Sequence, residues 1–205
     1  MKSIIIFGGA GYIGRHIVHR LSKSGYKIIV PYQKSTNEAK LRILGVPGQI
    51  IPYLFKSLDD EKLQNLLITC EICINLKTSW DEKILTFETS IFDFNFNLLS
   101  IIKKSKVLKH FIYFSGLGSE QIYNSQRNLT ITKTENMLKE SLNNCCILKP
   151  GIVIGGGDEF LKRLLPIFKL SFFIPLFGSG NNQFQPVYID DVSLAVEKII
   201  LKKLK

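Results

Sequence analysis

Short apolar runs alternate along this chain with longer stretches in which apolar residues recur every three or four positions. The runs are typical of buried strands, and the periodic stretches are typical of amphipathic helices. The pattern predicts six strands, at 3–7, 27–31, 48–52, 72–76, 110–115 and 145–150. It predicts helices between them at 12–24, 36–44, 59–67, 87–104 and 128–142. Because strands and helices alternate and the strands are almost continuously apolar, we predict an α/β fold, a doubly wound parallel sheet with helices on both faces.

Two residues mark expected helix ends. Gly25 follows the first helix, where a C-terminal cap with a left-handed backbone is common, and Thr36 precedes the second helix as an N-cap candidate. Neither repeats nor linker-like stretches divide the chain. Its 205 residues are therefore predicted to form one domain.

The composition and charge narrow the choice of partners. With 45% hydrophobic and 21% charged residues, the chain is typical of a globular protein rather than a disordered one. The 27 Lys and Arg against 17 Asp and Glu give a formal charge of +10. Such a field favours nucleotides, acidic proteins, anionic lipids or nucleic acid, although scattered lysines on a solvated face explain it equally well. Aromatic residues do not interleave with a basic stripe, so nucleic acid is a weak candidate.

The N-terminus and the cysteines indicate a reducing compartment. The apolar run IIIF (4–7) is too short for a signal peptide, and no later stretch reaches the ~18 apolar residues of a membrane span. We therefore expect a cytoplasmic protein. The four cysteines lie in or beside strand-like segments and are interpreted as small core residues: Cys70, Cys73, Cys145 and Cys146. The three histidines have no companions at ligand spacing, so no metal site is predicted.

Three glycines, Gly8, Gly11 and Gly14, lie between the first strand and the first helix. A strand, the spacing G-x-x-G-x-x-G and a helix form the context of a dinucleotide-binding loop. The first glycine permits the tight turn, the second lets the backbone approach a pyrophosphate, and the third lets the helix pack on the strand. The helix N-terminus then offers N–H groups and a partial positive charge to the phosphates. We predict dinucleotide binding by a Rossmann-like fold, with a purely packing role of the glycines as the alternative.

The end of the second strand bears on which dinucleotide is bound. An acidic residue there would bind the adenosine ribose and repel a 2′-phosphate, but the stretch PYQKST (31–36) contains no Asp or Glu. Arg15, directly after the third glycine, and Lys34 could instead face a phosphate. The sequence therefore favours NADP(H) over NAD(H), while ordinary surface positions for both cations remain the alternative.

Seven motifs occur in an order that is characteristic of a known family. They are GGAGYIGRH (8–16), VPYQ (30–33), LGVPGQI (44–50), INL (74–76), FIYFSGLGSE (111–120), ILKPGIVIGGGDEF (147–160) and QPVYIDDV (185–192). Over nearly its whole length the chain resembles atypical short-chain dehydrogenase/reductases. Within these it most resembles the group of the nucleotide-binding accessory subunit of respiratory complex I and its bacterial relatives. The resemblance implies a Rossmann fold that holds NADPH in a structural role.

Members of that group are longer, with a C-terminal part that completes the substrate cleft. This chain ends soon after the helix-like stretch DDVSLAVEKII (190–200). We therefore expect one NAD(P)-binding domain over residues 1–205, in which the last ~50 residues form only a partial substrate region.

The motifs also imply where a dinucleotide makes its contacts. The predicted contacts are the glycine loop with the residues that follow it, the two candidate phosphate-binding cations and the ends of the later strands. They are Gly8, Gly11, Tyr12, Ile13, Gly14, Arg15, Lys34, Asn75, Leu76, Ser115, Lys133, Pro150 and Ile152.

Catalysis in this superfamily requires a tyrosine four residues before a lysine on one helix, and a serine after the fifth strand. The tyrosine transfers the proton, and the lysine lowers its pKa and holds the ribose. Here the lysine candidate is Lys133, but position 129 is a leucine, which cannot ionise. Ser115 ends the fifth strand, followed by Gly116 where enzymes often repeat serines. Tyr123 is the remaining candidate for a replacement acid, if its loop returns to the site.

The stretch FLKRLLPIFKLSFFIPLF (160–177) concentrates large apolar side chains. These side chains could belong to the ordinary core of the protein. The alternative is an exposed apolar surface that a partner protein, a second copy or a membrane surface covers. With the basic tail LKKLK (201–205), attachment to the inner face of an anionic inner membrane is a further hypothesis.

Four interpretations follow from these observations. The first is a single domain that binds NADP(H) with little or no turnover, as a structural or accessory subunit of a membrane-associated complex. The second is an active NAD(P)-dependent oxidoreductase or nucleotide-sugar epimerase, which requires a replacement acid. A basic interaction module and a decayed remnant without function are the remaining alternatives.

Overall fold

Six parallel strands form the central sheet of the computed structural model, which describes residues 2–34, 37–118, 125–170 and 183–201. In chain order they are β1 (Ser3–Phe7), β2 (Lys27–Tyr32), β3 (Ile50–Leu54), β4 (Ile72–Asn75), β5 (His110–Phe114) and β6 (Cys145–Leu148). Their order in space is β3-β2-β1-β4-β5-β6. The strand order reverses between β1 and β4, and the crevice outside the carboxyl ends of strands at such a switch point is where α/β sheets bind ligands.

Helices cover the sheet, and a second, two-stranded parallel sheet follows β6. The helices are α1 (Tyr12–Lys23), α2 (Asn37–Arg42), α3 (Glu61–Thr69), α4 (Phe94–Ile102), α5 (Gln126–Ser141), α6 (Glu159–Leu170) and α7 (Ile189–Ile200). A π-helix, Glu88–Asp93, leads directly into α4. The small sheet consists of β7 (Ile152–Ile154) and β8 (Pro186–Tyr188).

The core lies on both faces of the sheet, as the apolar strands predict. Ile4 and Ile6 of β1 pack on one side with residues of α1 and α7, whereas Ile5 and Phe7 pack on the other with residues of α3, α4 and α5. Successive side chains of a strand point to opposite faces, so β1 contributes to both halves of the core. The predicted doubly wound fold is confirmed.

Several element ends differ from the prediction for local reasons. The β3 strand lies two residues later than predicted. The α3 helix begins at Glu61 because the Asp60 carboxylate accepts the N–H groups of Lys62 and Leu63 and so caps it. The long helix predicted over 87–104 is a π-helix followed by α4. The N-cap candidate Thr36 lies outside the described residues.

Gly25 ends α1 as predicted. Its φ is +79°, and its N–H donates to the Ser22 carbonyl at 3.1 Å. The N–H of Tyr26 reaches back to the Leu21 carbonyl at 3.3 Å. This pair of hydrogen bonds is a Schellman motif, in which glycine avoids the steric cost of a left-handed backbone.

The C-terminal α7 helix packs on α1, the helix that follows the glycine loop. The Arg20 Nε donates to the Ser193 hydroxyl at 2.8 Å, and an Arg20 guanidinium nitrogen lies 3.4 Å from a Glu197 carboxylate oxygen. The apolar pattern of the sequence predicts neither β7 nor β8. Strands of three residues such as β7 and β8 leave little periodic signal.

The cysteines have the core character that was predicted. Cys70 ends α3 and Cys73 lies in β4; both are buried, and all four cysteines are free thiols. Burial raises the pKa of the Cys70 and Cys145 thiols to about 11 and that of Cys73 well above its usual value. Thiols of this kind stay protonated and unreactive at neutral pH.

Candidate functional site

The glycine loop lies at the switch point of the sheet, between β1 and α1. Gly8 has φ +76°, and a Cβ on it would lie 3.0 Å from the Leu76 backbone that follows β4. A Cβ on Gly14 would lie 2.3 Å from the Gly8 carbonyl oxygen and 2.5 Å from the Gly9 Cα. Gly8 therefore provides the turn and Gly14 the close approach of helix and loop, the roles that the spacing predicts.

The N-terminus of α1 is suited to an anion. Its N-cap is the exposed Gly11, whose carbonyl accepts the Arg15 N–H at 3.0 Å. Among the described residues, neither a side-chain cap nor an acidic residue occupies the first turn. The first N–H groups of an α-helix have no intrahelical acceptor and carry the positive end of its dipole. Here they belong to predicted contact residues, Tyr12, Ile13 and Gly14.

Two buried polar atoms beside this turn have no hydrogen-bond partner within the described part of the chain, namely the Tyr12 hydroxyl and the Arg15 Nε. Burial raises the pKa of Tyr12, and the carboxylates of Asp158 and Asp190 raise it further. A buried polar group without a partner is costly, so these atoms are suited to a bound hydroxyl or phosphate. Together with the turn formed by Gly8, Gly11 and Gly14, here called the glycine cradle, these two atoms fit a dinucleotide.

A second glycine-rich turn covers the start of α1. Gly155 has φ +146°, and a Cβ on it would lie 3.1 Å from the Tyr12 hydroxyl. The His16 Nε2 lies 3.3 Å from the Gly156 carbonyl. The buried Asp158 carboxylate accepts the N–H groups of Gly155 and Leu161, so it fixes the turn and caps α6. The GGGD stretch thus forms a wall of the site.

A carboxylate that is not predicted from the sequence lies beside the end of β2. Glu38, in the first turn of α2, accepts the Tyr32 hydroxyl at 2.9 Å and Arg42 at 2.7 Å. These two partners lower the pKa of Glu38, with the Arg42 hydrogen bond as the larger cause. Lys34 is exposed beyond Tyr32. Neither the sequence nor the strand order predicts that Glu38 contacts Tyr32. Both carboxylate oxygens of Glu38 already accept hydrogen bonds, one from Tyr32 and one from Arg42.

Asn75 holds the end of β4. Its side chain is fully buried; its Nδ2 donates to the Asn95 Oδ1 at 2.8 Å, and its Oδ1 accepts the Lys77 N–H at 2.9 Å. Asn95 in turn donates to the Ile91 carbonyl at 2.7 Å. The side chain therefore fixes the loop, while the backbone of Leu76 is what meets Gly8. A contact of Asn75 with a dinucleotide stays a prediction.

The Asn95→Ala variant tests this bracing role. It leaves the buried Asn75 Nδ2 without its acceptor, so we expect the free energy of unfolding to fall by about 2 kcal/mol. Urea unfolding followed by circular dichroism measures the change. Asn97→Ala, at an exposed position of the same helix, is the control. A loss equal to that of the control would contradict the bracing role.

Ser115 lies in a buried network that the sequence analysis also missed. Its Oγ donates to the Glu135 Oε1 at 2.5 Å, and the Glu135 Oε2 forms an ion pair with the Lys149 Nζ at 2.6 Å. Glu135 is only 1% exposed. It shares the inner face of α5 with Ile131 and Leu138, so a carboxylate at helical spacing from core residues was the available signal. The network ties β5, α5 and the end of β6 together.

The catalytic pair of the superfamily is not reproduced within the described residues. Leu129 stands half exposed on α5 where the tyrosine is expected. The Lys133 Nζ lies 2.5 Å from a Glu88 carboxylate oxygen and 3.8 Å from the centroid of the Phe92 ring, so it is held by the π-helix. Tyr123 lies outside the described residues.

Two further cations at this edge of the sheet, Lys77 and Arg127, are not predicted from the sequence. Lys77 follows β4, and its Nζ lies 4.1 Å from the centroid of the Phe94 ring. Burial lowers its pKa. Arg127 donates to the Ser79 carbonyl at 2.8 Å and stacks at 4.0 Å on Trp80, which is 80% exposed. A cation in the loop after a buried strand was the available signal for Lys77.

Pro150 and Ile152 lie on the far side of the site. The Pro150 carbonyl accepts the Leu117 N–H at 2.9 Å, and Ile152 begins β7. A cavity of about 210 Å³ lies between the end of β6 and α7, and Lys149, Pro150 and Asp191 are among its lining residues. Pro150 thus lines this cavity, and contacts of Pro150 and Ile152 with a dinucleotide stay predictions.

The apolar stretch at 160–177 is described only as far as 170. There it forms α6, on which Phe160, Leu161 and Leu165 are exposed. In the part of the chain that the structure describes, no helix is long and apolar enough to cross a membrane. The same residues contain no group of three or more His, Cys, Asp or Glu arranged for a metal ion.

The whole chain is similar to one protein family in sequence. The model of the NAD dependent epimerase/dehydratase family matches residues 4–204. Among curated relatives, NADH dehydrogenase (ubiquinone) 1 alpha subcomplex subunit 9, mitochondrial, from Arabidopsis thaliana is 28% identical over 193 residues, 93% of this chain and 48% of the relative. The protein of that name from Dictyostelium discoideum is 27% identical over 197 residues, 95% of this chain and 54% of the relative. The chain thus spans about half the length of these relatives.

Solved structures share the fold at low identity. UDP-glucose-4-epimerase from Stenotrophomonas maltophila, with bound NAD and formylated UDP-arabinopyranose, superposes with a TM-score of 0.79 at 13% identity, over 98% of this chain and 74% of that one. The Bordetella bronchiseptica enzyme WbmH in complex with NAD⁺ superposes with a TM-score of 0.74 at 17% identity, over 98% and 72% of the two chains. These likenesses concern the fold, which is the NAD(P)-type Rossmann fold.

Proposed function

The chain belongs to the NAD dependent epimerase/dehydratase family, and we propose that it binds NADP(H) without turning it over, as an accessory subunit of a complex I-like assembly. One contrast carries the proposal. The phosphate-binding turn of α1 keeps its glycine cradle and orphaned polar atoms, while the proton-transfer position on α5 is Leu129.

The binding half of the proposal rests on the first turn of α1. Gly8 and Gly14 shape this turn, and the exposed Gly11 leaves the backbone open to a phosphate. The Arg15 Nε is buried beside them without a partner among the described residues. NADP(H) is favoured because Arg15 and Lys34 are cations, and because the carboxylate nearest the end of β2, that of Glu38, is held by Tyr32 and Arg42.

The lack of turnover rests on what the remaining groups bind. A bound nicotinamide cofactor would supply hydride chemistry, but a carbonyl or hydroxyl substrate also needs a proton donor or acceptor. Leu129 offers none, Ser115 donates to Glu135, and Lys133 is paired with Glu88. The alternative is an active oxidoreductase or nucleotide-sugar epimerase, which the family favours; Tyr123 would then be the acid.

The accessory role rests on the relatives and on α6. Relatives that match this chain over more than nine-tenths of its length carry the name of an NADH dehydrogenase subunit. The exposed Phe160, Leu161 and Leu165 of α6 offer an apolar face to a partner. We propose that residues 1–205 act as one NAD(P)-binding domain, on the cytoplasmic side and peripheral to an inner membrane.

Titration of the purified protein with NADPH and NADH tests the binding. We expect NADPH to bind more tightly, because Arg15 and Lys34 favour the added phosphate. Arg15→Ala and Lys34→Ala should each weaken NADPH binding roughly tenfold and NADH binding less, since a charged hydrogen bond contributes about 1.5 kcal/mol. Nicotinamide fluorescence gives the affinities, and Lys23→Ala, at the far end of α1, is the control. Equal weakening for both dinucleotides would contradict the NADP(H) preference.

Turnover and assembly need separate measurements. With saturating NADPH and a panel of carbonyl compounds and nucleotide sugars, we expect no consumption of NADPH above the rate without protein. Steady turnover that Tyr123→Phe abolishes would establish the enzyme alternative instead.

In native electrophoresis of membranes, the chain should migrate with NADH dehydrogenase activity.

A further inference from the structure

Lys77 lies at the switch point of the sheet. In the pairing of β1 with β4, Phe7 lies opposite Asn75, so Gly8 lies level with Leu76 and Lys77 is one residue farther out. A Cβ on Gly8 would lie 3.0 to 3.1 Å from Leu76 atoms, which shows how closely the two loops approach each other. The Lys77 N–H is fixed by the Asn75 Oδ1 at 2.9 Å. The backbone of Lys77 is therefore held beside the turn that precedes α1.

The ammonium group of Lys77 has little to balance its charge. Its Nζ lies 3.5 Å from the Ser90 carbonyl oxygen and 4.1 Å from the centroid of the Phe94 ring. Across the described residues, no carboxylate lies within ion-pair distance of it. For a partly buried cation, one long hydrogen bond and an aromatic neighbour compensate only in part for the lost hydration. Such a group gains most when an anion arrives.

Two other cations near the end of β4 are already engaged. Lys133 is paired with the Glu88 carboxylate, and Arg127 donates to the Ser79 carbonyl and the Thr78 hydroxyl. Moving either of them to a ligand would break these contacts. Lys77 would give up only the Ser90 contact and the Phe94 ring.

We propose that Lys77 binds the pyrophosphate of the dinucleotide held at the N-terminus of α1. This inference rests on the proposed function and adds a residue and a specificity to it. The pyrophosphate of a dinucleotide lies at the helix N-terminus of such a fold, and the adenosine ribose lies at the end of β2. Since β1 separates β4 from β2, Lys77 lies on the side away from the ribose. It therefore recognises the part that NADH and NADPH share.

Lys77→Met is the test. The variant keeps most of the length of the side chain and removes the charge, so we expect the affinities for NADPH and NADH to fall by the same factor, roughly tenfold. The slope of log Kd against log salt concentration should become shallower for both dinucleotides. Lys77→Arg should restore part of the affinity. Without ligand, Lys77→Met should unfold at the same temperature as the wild type or higher, because a partly buried charge is replaced by an apolar group.

Lys103→Met is the matched control. It makes the same change in net charge at the exposed C-terminal end of α4, which lies at the opposite edge of the sheet. It should leave both affinities unchanged. Titration calorimetry on wild type and variants gives the affinities, and thermal unfolding shows that each variant is folded.

The outcomes separate the two proposals. If the wild type binds and Lys77→Met binds equally well, the role of Lys77 is overturned and the proposed function stands. A loss confined to NADPH would place Lys77 at the 2′-phosphate and also overturn the inference. If the wild type binds neither dinucleotide, the proposed function fails and the role of Lys77 fails with it.

Discussion

Gly14→Ala is expected to remove dinucleotide binding and to lower the free energy of unfolding by about 3 kcal/mol. The added methyl group would lie 2.3 Å from the Gly8 carbonyl oxygen and 2.5 Å from the Gly9 Cα. Both are backbone atoms, so no side chain can rotate away to make room. Helix α1 has to move off the loop, which separates its first N–H groups from the turn that shapes the phosphate site.

Gly116→Ala is the control for this prediction. A Cβ at Gly116 has no neighbour within 4 Å among the described residues, and its φ lies outside the left-handed region. This variant should bind as the wild type does and unfold within about 0.5 kcal/mol of it. Denaturant unfolding and NADPH titration of both variants measure the two effects. If Gly14→Ala kept full stability and affinity, the close packing of α1 on the loop would be refuted.

Glu135→Leu is expected to have a comparable effect on stability and a different cause. Removing the carboxylate takes away the ion pair that it forms with the Lys149 ammonium and the acceptor of the Ser115 hydroxyl. Breaking a buried ion pair from one side costs about 3–5 kcal/mol, and the lower end applies because a quarter of the Lys149 side chain is exposed. Urea unfolding should therefore show a loss of about 3 kcal/mol.

Two matched variants separate the ion pair from the shape of the core. The double variant Glu135→Leu with Lys149→Met removes both charges and should recover most of the lost stability. Glu88→Gln breaks the exposed pair with Lys133 and should cost less than about 1 kcal/mol. If the double variant were no more stable than Glu135→Leu, the loss would come from packing rather than from the broken ion pair.

The Ser115–Glu135–Lys149 network also bears on the proposed lack of turnover. In an enzyme of this superfamily, the serine after the fifth strand would face the reacting oxygen. Here the Ser115 hydroxyl is directed to a buried carboxylate, which itself holds Lys149. The residues that remain at the catalytic edge thus stabilise the fold, and this supports a protein that retains the cofactor loop without the chemistry.

The local sequence was sufficient for the sheet and for the glycine turn before α1. Apolar runs gave all six strands of the main sheet, because a strand buried on both faces has to be apolar along its length. The spacing of Gly8, Gly11 and Gly14 located the turn, since Gly8 has a left-handed backbone and Gly14 has no room for a Cβ. Leu129 at the catalytic position could be read from the four-residue spacing alone, because residues four apart share a helix face.

Only the tertiary structure decided which side chains meet at the site. Glu38 folds back to Tyr32, Glu135 joins Ser115 to Lys149, and Lys77 lies beside the glycine loop through the pairing of β4 with β1. These contacts join residues that are separated along the chain or brought together by strand order, and periodicity over a few residues carries no information about such pairs. The sequence determined the glycine turn at which we propose that a nucleotide binds, whereas long-range packing determined which charges are engaged there and which remain available.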